Sequence, residues 1–426
     1  MARLSEHLSP AVRGLAVSSV VAMAERVSRM RAAGEEVYGL ALGQSPFPVP
    51  ERIVDALRIN AGQKEYLPPE GLPALRKAVA HFVERRVAID RTEEDVLIGP
   101  GSKELLFLLQ MAFAGEIVVP TPSWTVYLPQ ARLLGREVTF VHARPEHGFM
   151  VTASELDRAL APGAGKPRLL VLNYPNNPTG LTYRPEELRE LAKVARAHDV
   201  LVLSDEIYGE LHHKGQHASI AKYYPEGTIL SGGMSKWLGA GGWRLGTFVF
   251  PQELSRLRRA MTALASETFT STSAPISHAA TVAFEGGDDI ERYLTNVRRV
   301  LAAIGRQTAR RLGALGLGCA QPMGGFHVLV DFGSRAAVLR ARGITTSEQL
   351  TDRLLSEAGV ALLPGSAFGR PDDELTARLS YVDFDGVKAL AAVQVIPKEQ
   401  PLDETFLRRQ APRILAAIDA IAKWIV

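Results

Sequence analysis

Ser-Gly-Gly-Met-Ser-Lys-Trp-Leu-Gly-Ala-Gly-Gly-Trp-Arg-Leu-Gly (231–246) is flanked by two short apolar runs, 228–230 and 247–250. The segment offers Lys236, an amine able to form a Schiff base, and downstream the cation of Arg244 to meet a phosphate. Alone it decides little, because lysines are mostly solvated and glycines usually mark turns. Its flanks belong to a longer pattern. Runs at 96–98, 116–119, 137–141, 168–172 and 200–203 are equally short and apolar, and helix-sized segments such as 102–113, 185–198 and 252–265 separate most of them. Short buried runs alternating with helices predict an α/β fold on a mostly parallel, mixed sheet between helices.

Further out the pattern changes. A long charged and apolar period over 288–315 predicts a connecting helix. Beyond it, strand-like runs at 326–331, 360–363 and 377–382, with helices near 347–357 and 411–426, predict a smaller α+β domain. Toward the N-terminus, Val20, Ala24, Val27 and Met30 follow a helical spacing up to Gly34, and a strand-like run covers 37–42. Three prolines in Gly-Gln-Ser-Pro-Phe-Pro-Val-Pro (43–50) then forbid regular structure. The expected division is a segment 1–44 that returns to the small domain, a large domain at 45–290 and a small domain at 291–426. A chain of 426 residues exceeds what one core usually holds. The stretch 393–406, with Pro397 and Pro401, is expected to be a loop inserted before the last helix.

Composition excludes several classes of function. Net charge is +3, from 49 basic and 46 acidic residues, so neither a nucleic-acid nor an acidic-membrane partner is expected. The apolar stretch 15–24 is broken by Ser18 and Ser19, which argues against a signal peptide, and no apolar run has the length of a membrane span. The one cysteine, Cys319, cannot form an internal disulfide and points to a reducing, cytoplasmic compartment. His212, His213 and His217 surround Lys214-Gly215-Gln216, read as the exposed turn of a hairpin, and no metal site is expected.

The remaining signals concern chemistry. Pro-Gly-Ser-Lys-Glu (100–104) follows a strand and opens a helix, where free amides favour an anion. Asn-Tyr-Pro-Asn-Asn-Pro-Thr-Gly (173–180) and Asp205 both stand at the carboxyl ends of strands, where α/β sheets collect ligands. A carboxylate there is costly to bury unless a cation or donors meet it. Trp124 offers a flat aromatic face, and Arg378, read as heading a strand, offers a planar fork for a carboxylate. Together these are the groups expected around pyridoxal 5′-phosphate and an amino acid.

In this order the motifs resemble the class I/II aminotransferases of fold type I, the group containing aspartate and aromatic aminotransferases, over essentially the whole chain. The resemblance implies that Lys236 is the Schiff-base lysine, that Asp205 pairs with the pyridine nitrogen, and that Asn177 and Tyr208 contact the ring hydroxyl. It further implies that Trp124 stacks on the ring and that Gly101, Ser102, Lys103, Ser235 and Arg244 surround the phosphate. Arg378, helped by the backbone at Gly43, would clamp the substrate α-carboxylate. Tyr66 would reach the phosphate of a neighbouring subunit, which makes the implied active unit a homodimer. The implied reaction moves an amino group between an α-amino acid and a 2-oxo acid by a ping-pong mechanism. Its rival is elimination, oxidation or condensation from the same carbanion. Three departures stand out: Gly233 replaces a serine common three residues before the lysine, 266–276 holds no cation for an acidic side chain, and the stretch inserted before the last helix lengthens the C-terminus relative to typical members.

Overall fold

The computed structural model describes residues 7–163 and 165–426. Seven strands, β1 (Val96–Gly99), β2 (Glu116–Thr121), β3 (Val138–His142), β4 (Arg168–Asn173), β5 (Leu201–Asp205), β6 (Thr228–Gly233) and β7 (Gly246–Val249), form one sheet. Their order is β1-β7-β6-β5-β4-β2-β3. From β6 to β3 all neighbours are parallel, whereas β7 runs antiparallel to both β1 and β6. The sheet is the mixed, mostly parallel one that the sequence pattern predicts.

Alternation explains why these runs are apolar throughout. Side chains of a strand point to opposite faces in turn. Accordingly Leu169 and Val171 join one buried cluster with Leu105 and Met261, while Leu170 and Leu172 join another with Leu188 and Leu191. A strand covered by helices on both faces has no position left for a solvated residue. Polarity therefore gathers at strand ends: Asn173 and Asp205 are register partners at the carboxyl ends of β4 and β5.

A second, antiparallel sheet follows, with β8 (Gly318–Cys319), β9 (His327–Asp331), β10 (Leu363–Pro364) and β11 (Thr376–Ser380) in the order β10-β11-β9-β8. The N-terminal part of the chain packs on this side. Helix α1 (Ser19–Ala32) buries Met23 and Val27 in one cluster with Leu355, Ala361 and Leu363. Tyr38–Gly39 pairs in parallel with Val360–Ala361. Helix α2 (Ser102–Ala112) follows β1, and helix α3 (Asp288–Ala314) leads from the large sheet to the small one.

Several expectations are corrected. Only Tyr38 and Gly39 of the run 37–42 join a ladder, because later carbonyls have other partners: Leu40 accepts from the Ser380 N–H and Ala41 from Arg378. The run 360–363 splits, its first half pairing with the N-terminal strand and its second with β11. The stretch 393–406 is not wholly loop. Helix α4 (Glu404–Gln410) begins inside it, with the Asp403 side chain accepting from the Phe406 N–H as its cap, and Pro412–Trp424 closes the chain. Arg299 holds the irregular part by donating to the carbonyls of Ile396 (3.0 Å), Pro397 (2.7 Å) and Gln400 (3.1 Å).

The histidine turn also differs. Lys214, Gly215 and Gln216 are exposed, but His212 is buried and makes only an isolated bridge to Gly324 rather than a hairpin. His213 sits between the carbonyls of Pro322 and Gly325. Burial lowers both imidazoles to about 4 and keeps them neutral. Among the described residues, no helix is long and apolar enough to cross a membrane.

Candidate active site

A cavity of about 470 Å³ opens where β4 and β5 end, and it contains the chemistry picked out in the sequence. Its walls carry Ser102, Lys103 and Arg244 at one end and Asp205 at the other, with Trp124, Asn177, Tyr208, Ser235, Lys236 and Gly43 between.

The cationic end is built by the antiparallel strand β7. Pairing of β7 with β1 brings residue 244 beside the start of α2. Arg244 takes the left-handed backbone conformation (φ +54°), which aims its guanidinium at the turn: it donates to the carbonyls of Gly241 (2.8 Å) and Pro100 (3.2 Å). Gly101, also at positive φ (+97°), leaves the necessary space, since a Cβ there would collide with the guanidinium. The first amides of α2 and the Ser102 side chain face the same region, the arrangement that suits an anion. Burial, and then the Arg244 charge, lowers the Lys103 pKa.

At the opposite end Asp205 is 4% exposed. Its Oδ2 accepts from the Tyr127 hydroxyl at 2.6 Å and its Oδ1 from the Ile207 N–H at 3.4 Å. Burial nevertheless raises the carboxyl to about 6, so two donors do not replace the lost water. Trp124 packs edge-on against Tyr127, ring centroids 5.6 Å apart, and lines the cavity above this carboxylate. Tyr127 was not singled out in the sequence. It lies three residues after Trp124 across a turn in which its N–H donates to the Trp124 carbonyl (3.4 Å), and it opens the helix Tyr127–Leu133.

Lys236 lies on the connection between β6 and β7, and its Nζ donates to the Gly43 carbonyl at 2.8 Å. Burial first, then the charge of Arg378, lowers its amine to about 8, while Asp205 opposes the shift. Ser235 faces the cavity, whereas Ser231 lines a separate, smaller one. Gly233 has φ +148°, and a Cβ there would stand 2.8 Å from the Leu245 carbonyl oxygen and 3.0 Å from Gly246 Cα. The backbone between β6 and β7 thus leaves no room for a serine at 233.

Arg378 sits in the middle of β11, not at its head as the sequence reading had it, because the strand begins at Thr376. It is 2% exposed and stands behind the cavity wall. One terminal nitrogen donates to Asn177 Oδ1 at 3.1 Å and the other to the Ala41 carbonyl, while Nε has no partner among the described residues. Burial lowers its pKa to about 10. Tyr208, whose pKa burial raises, meets His327 Nε2 at 3.1 Å. Tyr66 is the sequence candidate this chain does not bring to its own cavity: it is 88% exposed.

The chain matches the aminotransferase class I and II family over residues 35–392. It belongs to that family. Among curated relatives, the aminotransferase is 33% identical to an aspartate aminotransferase of Geobacillus stearothermophilus, across 88% of this chain and 94% of the relative. Identity is also 33% to an aspartate/prephenate aminotransferase of Thermus thermophilus, with the same coverage. Among solved structures, an aspartate aminotransferase from Thermus thermophilus with maleate superposes with a TM-score of 0.83 at 29% identity, covering 98% of this chain and 99% of that one. Members of the class I and II family depend on pyridoxal phosphate, and this aminotransferase is a transaminase of fold type I.

Proposed function

We propose that this transaminase holds pyridoxal 5′-phosphate lengthwise in the cavity, with the phosphate among Gly101, Ser102, Lys103, Ser235 and Arg244 and the ring nitrogen against Asp205. The observation that carries the reading is the polarity of one cavity. Cations and helix amides stand at one end, a buried carboxylate at the other, and a desolvated amine between them. A neutral cavity, or cations at both ends, would not fit an anionic ester joined to a basic heterocycle. Trp124 supplies an aromatic wall, and Asn177 and Tyr208 supply polar groups for the ring hydroxyl.

When bound, this cofactor supplies a carbonyl for amine exchange and an electron-withdrawing ring that makes the substrate Cα–H acidic. The protein's own groups do the rest. Lys236, lowered to about 8, keeps a useful neutral fraction near neutral pH, the form that attacks a carbonyl and accepts the proton from substrate Cα. Asp205 holds its cationic partner protonated through charge pairing in a buried setting. Arg378, with an unpaired Nε beside its bond to Asn177, receives the substrate α-carboxylate. The Gly43 carbonyl, an acceptor, orients Lys236 rather than the carboxylate; any help to the carboxylate falls to the backbone N–H.

The reading extends to ping-pong exchange between an α-amino acid and a 2-oxo acid in a homodimer that shares its active sites. The exposure of Tyr66, and separately of Leu15, Val17 and Val21, supports a second subunit covering these apolar side chains. The large domain is taken as 45–290 and the small one as 291–426 joined by 1–44, supported by the packing of α1 on Leu355 and Leu363. The single free thiol, Cys319, supports a cytoplasmic setting. The relatives' names support aspartate as the first donor to try.

Lys236→Ala tests the centre of this reading. The variant should lose the near-visible absorbance of the loaded wild type together with more than about 99% of turnover, the scale of losing a nucleophile and general base. An unchanged band with undiminished activity overturns the assignment. Loaded wild type mixed with a panel of amino acids should yield stoichiometric 2-oxo acid without ammonia. Ammonia in equal amount would place the reaction among the eliminations or oxidations.

A further inference from the structure

Resting on that placement of the cofactor, we propose that His327 is a positioning residue. Ser380 fixes it as the neutral Nε2–H tautomer, it donates to Tyr208, and it thereby turns the Tyr208 O–H toward the cofactor's ring oxygen.

The geometry is a chain of three polar groups running from the small sheet to the segment that follows β5 of the large one. His327 opens β9 and Ser380 closes β11, and the two are direct cross-strand partners. Ser380 Oγ lies 2.9 Å from His327 Nδ1, and His327 Nε2 lies 3.1 Å from the Tyr208 hydroxyl. Ser380 is fully buried and His327 is 1% exposed, so both lie out of contact with bulk solvent. The ring is held by the edge of Phe326, centroids 4.7 Å apart, and by close approach of the backbone at Gly43. A Cβ at 43 would stand 2.8 Å from His327 Cε1.

Direction follows from counting donors. The charged groups facing the imidazole are Arg378 and Lys236, both cationic, and with burial they keep it neutral. A neutral imidazole has one N–H and one acceptor nitrogen. If Nδ1 carried the proton, Ser380 would accept it, and the buried serine proton would have no acceptor among the described residues. If Ser380 donates to Nδ1, every proton is used. Nε2 then carries the hydrogen and Tyr208 accepts it, so the tyrosine proton cannot point at His327. Asn177 also reaches the Tyr208 hydroxyl, as a donor, so the tyrosine proton is left for an acceptor in the cavity that Tyr208 lines.

A donor to the ring oxygen lowers its basicity, so losing the donor should raise the pH at which the loaded enzyme's near-visible spectrum changes. Two readouts separate this proposal from the cofactor reading itself. In cofactor-free protein labelled with 15N-histidine, long-range 1H–15N correlation, with His327 assigned by His327→Gln, should show the Nε2–H form between pH 6 and 8. A proton on Nδ1, or on both nitrogens, overturns the proposal and leaves the cofactor assignment untouched. In loaded enzyme, His327→Phe should move the spectral midpoint up by about half a pH unit, a roughly threefold effect, because Tyr208 keeps its O–H but loses the donor that polarises and orients it. His327→Gln, which retains a donor amide, should restore most of the shift. Ser380→Ala, the smaller change, should move the midpoint in the same direction and populate the Nδ1–H form. An unmoved midpoint in His327→Phe, or in Ser380→Ala should the first variant fail to fold, rejects the relay.

Discussion

At the scale of single residues, Asp205 shows how the site is held in readiness at the expense of stability. Its carboxyl is raised from 3.8 to about 6, so the folded chain binds that proton more tightly than the unfolded chain does. Stability therefore falls as pH rises from about 4 to about 6, and above that the whole penalty is present, about 2–3 kcal/mol at about 1.4 kcal/mol per unit. Asp205→Asn should make the cofactor-free protein more stable than wild type at pH 8 by a similar amount, with the gap closing below pH 5, while cofactor retention weakens at least about tenfold. Thermal unfolding across that range, with and without cofactor, checks both halves. A wild type that outlasts the variant without cofactor at pH 8 contradicts the argument.

Among elements, the connection between β6 and β7 does the most. It carries Lys236 and Arg244, and Gly233, the last residue of β6 before it, has φ +148° and no room for a Cβ. Gly233→Ser should gain no affinity for cofactor and should destabilise the fold by about 1–3 kcal/mol. Denaturant unfolding and cofactor titration report the two effects, and tighter cofactor binding in this variant would refute the steric account. Much of this architecture was legible beforehand, because buried parallel strands must be apolar throughout and so throw their polar residues to the ends. Asn177, Asp205 and Lys236 were visible for that reason. Tyr127, His327 and Ser380 were not, because a tyrosine in a helix or a histidine in a strand reads as core until a partner 119 residues away, as Tyr208 is from His327, is known. Arg378 was found but misplaced in its strand, since the run gave the composition of β11 and not its limits. The turn around His212 was misread because Gly215 marks a turn whether or not two strands flank it.

For the whole molecule, the open question of assembly has a direct test. Tyr66 is exposed and does not line this chain's own cavity, so a site completed by a second subunit should lose cofactor when subunits separate. Dilution followed by sedimentation and by the near-visible band should show both changes over the same concentration range, and Tyr66→Phe should weaken retention several-fold without altering the dimer. Retention that is identical in monomer and dimer rejects the shared site. The sheet order has one more consequence, for the chain during its synthesis. Strand β1 has only β7 as a neighbour, and the two pair Val96 with Val249 across most of the large sheet's sequence. A nascent chain thus carries Ser102 and Lys103 long before any strand can hold them in place, and loop closure over such a distance is slow. The ribosome must deliver residue 249 before Ser102, Lys103 and Arg244 can come together, so a ligand that needs all three can be captured only after the large sheet has been translated to its last strand.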